Sequence, residues 1–568
     1  MIKFYSLLLL LFINTNSLSH TTTNEIFLIG DTPITIEIIQ SDKSGALFFH
    51  PHEDEKTAYE QTKKIIHQYG GKLVSIKQHG KRLLEITHQG NLYRVDPNRI
   101  FSKQGIKDSL TKYGKFNADV AKSVQDFADR VSSLVIAKLV IAVHNNYDKN
   151  YNISSYKNSD EVKCYYQNPK QGTGEFFYTT DERFFNFAKV AGYNVVLQSN
   201  KIKNDGSFSV YAALQGVQYV NLEVKRGDDS LEVEMLAFLS RYFANQYQDL
   251  PKHSWSALKT GDTIDLIAPS SATNPENVAQ TIKALEKFGF KVSVQYARSQ
   301  PTKLYYDNSD EYRTNAFIAA MNNPNSKAVW AIKGGAGATR LLPKLLKYPA
   351  PKIAKPLIGF SDITALHNFV NHQWRMPSLH AIVAGYNREV DRKIDSHINI
   401  EESLKTVVDI LKSDHNKTLI YQDLTPINKL AMQVKNINSS LSGGNLTLVQ
   451  SSLDTPFQAN LENNILIIED IGNSAHQLER ILDNLRYSQL LNGVEAVILG
   501  EFIQTSADKK VVTDMINLVL QRFADGVNVP VFKGVFFGHS RLNHPMPLNT
   551  EAKIVKEGGS FSLKVKIK

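Results

Sequence analysis

The stretch KPLIGFSDITALHNF, residues 355–369, runs from a lysine and a proline through an apolar segment to Ser361, and continues with apolar residues at helical spacing. An apolar run, a tight turn and an amphipathic segment in that order read as strand, loop and helix, the repeating unit of a parallel α/β sheet. Further strand-like runs, TIDLIAPS, KVSVQY and AVWAIKG, alternate with the helix-like NPENVAQTIKALEKFG, EYRTNAFIAAMN and GATRLLPKLLK. Residues 254–412 are therefore expected to form a parallel-sheet, Rossmann-like α/β domain. Beyond residue 413 the runs shorten (NILIIED, EAVILGEF) and end in two alternating segments, AKIVKE and SFSLKVKIK, which predict a smaller β-rich subdomain over 413–568.

Upstream, short β-type runs such as ALFF and NVVLQ mix with the helical DVAKSVQDFADRVSSLVIAKL, predicting a separate α/β domain over 21–253. The aromatic cluster FFYTTDERFFNF, from Phe176, is read as core. The proline and Gly-Asp turn of YQDLPKHSWSALKTGD interrupt the periodicity, and the boundary is placed near Ser254. Residues 1–20, MIKFYSLLLLLFINTNSLSH, have an early lysine, an apolar core too short to span a bilayer, and small polar residues after it. This is the layout of a secretory signal peptide, so an exported, periplasmic protein with no integral membrane segment after cleavage is expected.

The chain has 568 residues, 42% of them hydrophobic, and a net charge of +9. Its lysines are interspersed with acids rather than clustered, so no nucleic-acid partner is expected. Cys164 is the only cysteine, which excludes an intramolecular disulfide and a cysteine-based zinc site.

Ser361 stands where parallel sheets place reactive groups, just past the end of a strand. Its turn, GFSDI, matches the first half of the nucleophile elbow G-x-S-x-G but has Ile363 at the second glycine. Serine is also a common helix N-cap, so nucleophile and cap both stay open on this turn alone. A nucleophilic serine needs a base and a group that orients the base. Glu469, at the end of NILIIED, and His539, after KGVFFG, lie in the chain order Ser, Glu, His; singly, each is equally an ordinary strand-end acid or loop histidine. The glycine-rich AIKGGAGATRLL follows a strand and can present amides to a phosphate or an oxyanion, but it has neither a Walker lysine nor the dinucleotide fingerprint.

Together, GDTIDLIAPSS, KGGAGATRLL, IGFSDITALH, LSGGNLTLV, IIEDIGNSAHQLERIL and GHSRLNHPMPL resemble the LD-carboxypeptidases over residues 255–568, the serine peptidases that include muramoyltetrapeptide carboxypeptidase and the microcin-immunity hydrolases. The resemblance implies Ser361 as nucleophile, Glu469 as orienter, His539 as base, and the amides of Gly335 and Asp362 as oxyanion donors. It further implies cleavage of an amide between an L-centre and a terminal D-residue, the D-alanine of a murein tetrapeptide. The sequence departs from the family where Lys333-Gly334-Gly335-Ala336-Gly337 replaces Arg-Gly-Gly and an aromatic, a change that touches the pocket rather than the triad.

In the first half, LFFHPHEDEKTA contains two overlapping H-x-x-E pairs, His50 with Glu53 and His52 with Glu55. Imidazole and carboxylate are zinc ligands, and His144, ending KLVIAVHNN, is the candidate third. Asn98 and Arg99 in YRVDPNRIF can grip a carboxylate, and Glu223 in YVNLEVKRGD can serve as general base. A polar surface loop is the competing reading of HPHEDE. The order of these elements resembles the zinc carboxypeptidase superfamily, in particular its succinylglutamate desuccinylase and aspartoacylase-like branch, with Pro97 in place of a leucine. That resemblance implies zinc held by His52, Glu55 and His144, substrate carboxylate on Asn98 and Arg99, and water activated by Glu223.

The expected protein is thus an exported hydrolase of peptidoglycan stem peptides with a serine LD-carboxypeptidase site, which needs no cofactor, and a zinc-dependent amidase or carboxypeptidase site. The alternative is a serine hydrolase of a peptide antibiotic or another acyl amide, its first half a catalytically silent peptide-binding module. The oligomeric state stays open, a homodimer included.

Overall fold

The computed structural model describes residues 20–146, 151–247, 254–295, 300–385, 400–413, 417–503, 509–539 and 542–567. The expected signal peptide, apart from His20, lies outside them. Among the described residues no helix is long and apolar enough to cross a membrane. The chain divides into two compact units, Met1–Asp249 and Leu250–Lys568.

The first unit is built on a nine-stranded mixed sheet. Its middle is parallel: Lys72–Lys77, Leu47–His50, Leu139–Asn146 and Gln218–Lys225 lie side by side. Antiparallel strands extend it, with Thr32–Ser41 and His20–Ile29 on one edge and Phe176–Thr179 after Gln218–Lys225. Strand Leu139–Asn146 is buried along its whole length, as a central strand covered on both faces should be. Helix Ala118–Val135 turns Val120, Val124, Phe127 and Val131 into the main core. Phe177, Phe184 and Phe187 pack against Phe238, so the aromatic cluster is core.

The second unit has two lobes. Five parallel strands, Lys291–Val294, Thr263–Ile267, Ser326–Ala331, Leu357–Gly359 and Ser378–His380, form a sheet whose last neighbour, Met546–Leu548, is antiparallel. The other lobe is a closed barrel of seven strands, in which Asn436–Asn445, Asn464–Ile471 and Ala496–Ile503 run parallel. The hairpin Glu551–Glu557 and Ser560–Lys566 completes it by pairing with Asn436–Asn445 on one side and Thr418–Pro426 on the other. The helix expected over GATRLLPKLLK is only a 3-10 turn, Ala338–Leu341, and one α turn, Leu342–Leu345. Pro343 can begin a helix but cannot donate within one, which fixes where the turn changes. Lys355, opening the stretch that defined the fold, is buried and caps helix Asp310–Asn322, donating to Ala320 O at 2.9 Å and Ser326 Oγ at 2.8 Å.

Candidate active sites

Strand Leu357–Gly359 delivers the chain to Ser361, the first residue of a 3-10 turn that runs into helix Thr364–Gln373. No side chain caps either element, so the Ser361 hydroxyl is not used as a cap. Ser361 has φ of 60°, a left-handed conformation that costs a non-glycine residue about 1–3 kcal/mol. The departure from G-x-S-x-G is accommodated locally: Ile363 fills the space over Gly359, where an added Cβ would fall 2.9 Å from Ile363 Cγ1.

Glu469 is fully buried near the end of strand Asn464–Ile471. Its Oε2 accepts from His539 Nδ1 at 2.8 Å, and its Oε1 from Asn445 Nδ2 at 3.3 Å. With Nδ1–H donating to Glu469, Nε2 becomes the basic nitrogen of the ring. Burial pushes the Glu469 pKa up, but the charge and hydrogen bond of His539 outweigh it and hold the group below the ordinary carboxylate range. The His539 ring rests on Phe360, the residue before Ser361, with centroids 4.8 Å apart. Gly538 makes this possible, because a Cβ there would lie 2.5 Å from Glu469 Oε2.

The glycine-rich loop passes directly over the serine: a Cβ on Gly334 would lie 3.4 Å from Ser361 Oγ, and Gly335 adopts φ of 100°. Neighbouring amides of the loop are occupied, Ala336 N by Ser271 Oγ at 3.1 Å and Ala338 N by Asp362 Oδ2 at 2.8 Å. The same Asp362 oxygen accepts from Ser270 Oγ at 2.6 Å, tying three loops together. Because one oxygen takes both bonds, Asp362→Asn can keep them and Asp362→Ala cannot. We expect the alanine variant to lose about 10²–10³ in kcat, the cost of a displaced oxyanion donor, and the asparagine variant to lose less than about tenfold. Steady-state kinetics on both decide this.

In the first unit, His52, Glu55 and His144 converge with ligand atoms within 4.8 Å of one another, all three buried. His52 Nδ1 is 3.2 Å from Glu55 Oε1 and 3.2 Å from His144 Nδ1, and His144 Nδ1 is 2.9 Å from Glu55 Oε2. The competing pair is used elsewhere: His50 bonds Ser75 Oγ and the Glu55 carbonyl, and Glu53 accepts from the amides of Gln78 and Gly80. Asp96 Oδ1 takes His52 Nε2 at 2.9 Å, fixing the ring so that Nδ1 faces the cluster, the usual arrangement behind a metal-bound imidazole. Glu55 is held well below its ordinary pKa, the charges of His144 and His52 outweighing the effect of burial.

Glu223 is the register partner of His144 on the adjacent strand, and burial raises its pKa. It lines the same cleft of about 570 Å³ as the cluster, with Asn98, Arg99 and Arg82. Asn98 spends its Oδ1 on Phe208 N at 3.2 Å, and Arg99 Nε lies 3.4 Å from Asp205. Asp96 and Arg82, which bonds Glu55 Oε1 at 2.5 Å, were not anticipated. Asp96 had a signal, standing two residues before Asn98; Arg82 had none. Nor did the sequence point to His380, fully buried and within 6.4 Å of the Phe360 ring.

Family models for the LD-carboxypeptidase N-terminal and C-terminal domains match residues 264–381 and 438–554. A candidate carboxypeptidase of Rickettsia conorii is 32% identical over 295 residues, which are 52% of this chain and 88% of that protein. The murein tetrapeptide carboxypeptidase of Pseudomonas aeruginosa is 28% identical over 303 residues, covering 51% of this chain and 92% of its own. Among solved structures, muramoyltetrapeptide carboxypeptidase from Oxalobacter formigenes aligns with a TM-score of 0.43 at 22% identity, over 54% of this chain and 98% of that one. Both matched domains fall within the second compact unit, and through it the chain belongs to the LD-carboxypeptidase family.

Proposed function

We propose that the chain hydrolyses murein stem peptides, its second unit releasing the terminal D-alanine of a murein tetrapeptide by a serine mechanism. One observation carries this reading: a buried Glu469–His539 pair at 2.8 Å whose imidazole rests on the residue preceding a left-handed Ser361 whose hydroxyl caps no helix. The murein tetrapeptide carboxypeptidase among the relatives supports the substrate.

In this mechanism Ser361 Oγ attacks the carbonyl carbon on the L-side of the bond while His539 Nε2 takes the hydroxyl proton. Glu469 steadies the imidazolium, and the amides of Gly335 and Asp362 receive the oxyanion. Collapse expels D-alanine, whose nitrogen takes the proton from His539. Water then cleaves the acyl-enzyme by the reverse proton path. Mass spectrometry of the products from a purified tetrapeptide tests this reading: loss of one D-alanine supports it, and an intact tetrapeptide overturns it.

The proposal extends to a zinc site in the first unit, and the donor set fits that metal. Two imidazole nitrogens and a carboxylate face one another at 2.9–3.2 Å, and Asp96 fixes one of the rings. Zinc there would supply a Lewis acid that polarises a carbonyl and acidifies water. Glu223, with its raised pKa, would take up a proton, and Asn98 and Arg99 would bind a substrate carboxylate, Arg99 exchanging Asp205 for it. The purified chain should hold one zinc by elemental analysis, and His52→Ala should abolish it; a metal-free wild type after zinc loading would refute the site. Export to the periplasm, where murein lies, belongs to the same proposal and rests on residues 1–20.

A further inference from the structure

We infer that Glu232 is a positioning residue for this metal site, acting through Asn145 to hold Glu55 and His144 in mutual register. The inference rests on the zinc reading above. Glu55 is the N-cap residue of helix Lys56–Tyr69, yet its side chain makes no capping bond because it is turned into the cluster. The amides of the helix's first turn therefore receive no bond from the cap residue's side chain. One of them, Ala58 N, donates instead to Asn145 Oδ1 at 2.7 Å. Asn145 directly follows His144 on strand Leu139–Asn146, so a single amide side chain joins the helix that carries one ligand to the strand that carries another.

An asparagine amide holds such a bridge only if its oxygen, not its nitrogen, faces the donor. Asn145 Nδ2 donates to Glu232 Oε2 at 3.0 Å and, at 3.5 Å, to the Val224 carbonyl, so Glu232 is the nearer of the two acceptors that select the orientation. Glu232 is fully buried on a third element, helix Asp229–Tyr247. Burial, with Asp229, Glu55 and Glu223 nearby, pushes its pKa up to about 8. Oε2 accepts from Asn145 in either protonation state, so the bridge does not depend on titration. Such outer-shell partners typically contribute 10–100-fold to metal affinity.

The test is zinc affinity of the full chain, measured by competition with a chromogenic chelator. Glu232→Gln keeps an acceptor and should bind zinc within about threefold of wild type, whereas Glu232→Leu should bind about 10–100-fold more weakly. Gln61→Met is the control: Gln61 Nε2 donates to Asp229 at 2.9 Å, a direct bond between the two helices that does not touch Asn145. It should lower the melting temperature and leave zinc affinity unchanged. If Glu232→Leu does not fold, Asn145→Ser breaks the bridge from its other end and should show the same loss. Wild-type affinity in Glu232→Leu or Asn145→Ser, or an equal loss in Glu232→Gln, would overturn the inference. Failure of the metal reading itself looks different, since the wild type would then take up no zinc.

Discussion

Ser361→Ala is expected to lower D-alanine release from a murein tetrapeptide by roughly 10⁴–10⁶-fold, with the fold intact. In the proposed mechanism the hydroxyl attacks the substrate amide, and the residual rate would come only from oxyanion donors and binding. Stability should hardly change, because the hydroxyl caps no helix. The backbone supplies an independent check. Ser361 holds φ of 60°, so Ser361→Gly should be equally inactive yet more stable than wild type, by up to about 1–2 kcal/mol, as strain is relieved. A serine present for structure alone would give the opposite pair of results: activity retained in alanine and glycine variants alike.

Gly538→Ala is the second large effect, and it leaves the side chains of Ser361, Glu469 and His539 in place. A Cβ at 538 would overlap the Glu469 carboxyl group, and φ of 76° there already favours glycine. Glu469 is fully buried and held by Asn445, and Asn445 also donates to Asp470 Oδ1 at 3.1 Å, so its carboxylate has little room to retreat. The His539 Nδ1 bond should therefore break. In serine hydrolases, loss of the orienting carboxylate costs about 10⁴ in kcat, and a fall of 10³–10⁴ is expected here, with KM little changed. Substituting Gly472, which has φ of 82° but no atom within 4 Å of its would-be Cβ, should cost stability without that kinetic loss. Equal activity in the two glycine variants would mean that Gly538 does not secure the pair.

What could be read from the chain follows the range of the interactions involved. TIDLI, SKAVWA and LIG announce buried parallel strands because burial on both faces demands continuous apolar runs, and they are strands Thr263–Ile267, Ser326–Ala331 and Leu357–Gly359. The β-rich character of the end of the chain was equally visible, but its closure into a barrel was not. That closure depends on Thr418–Pro426 finding Ser560–Lys566 more than a hundred residues away.

The two H-x-x-E pairs of HPHEDE are indistinguishable by spacing. They are separated by Ser75 and the Gln78 and Gly80 amides, which engage His50 and Glu53, and by Asp96 and His144, which turn His52 inward. Gly538 opens GHSRLNHPMPL, and nothing in that motif's sequence says why a glycine stands there. The reason, the carboxyl group of Glu469 against its α-carbon, exists only in three dimensions.

The most direct test of the account is mass spectrometry of murein tetrapeptide products from wild type and Ser361→Ala, each with and without a zinc chelator. Wild type should release D-alanine to the same extent with and without the chelator, and Ser361→Ala should release none above the small residual rate. Release that persists above that rate in Ser361→Ala, or that chelation abolishes in wild type, would contradict the account.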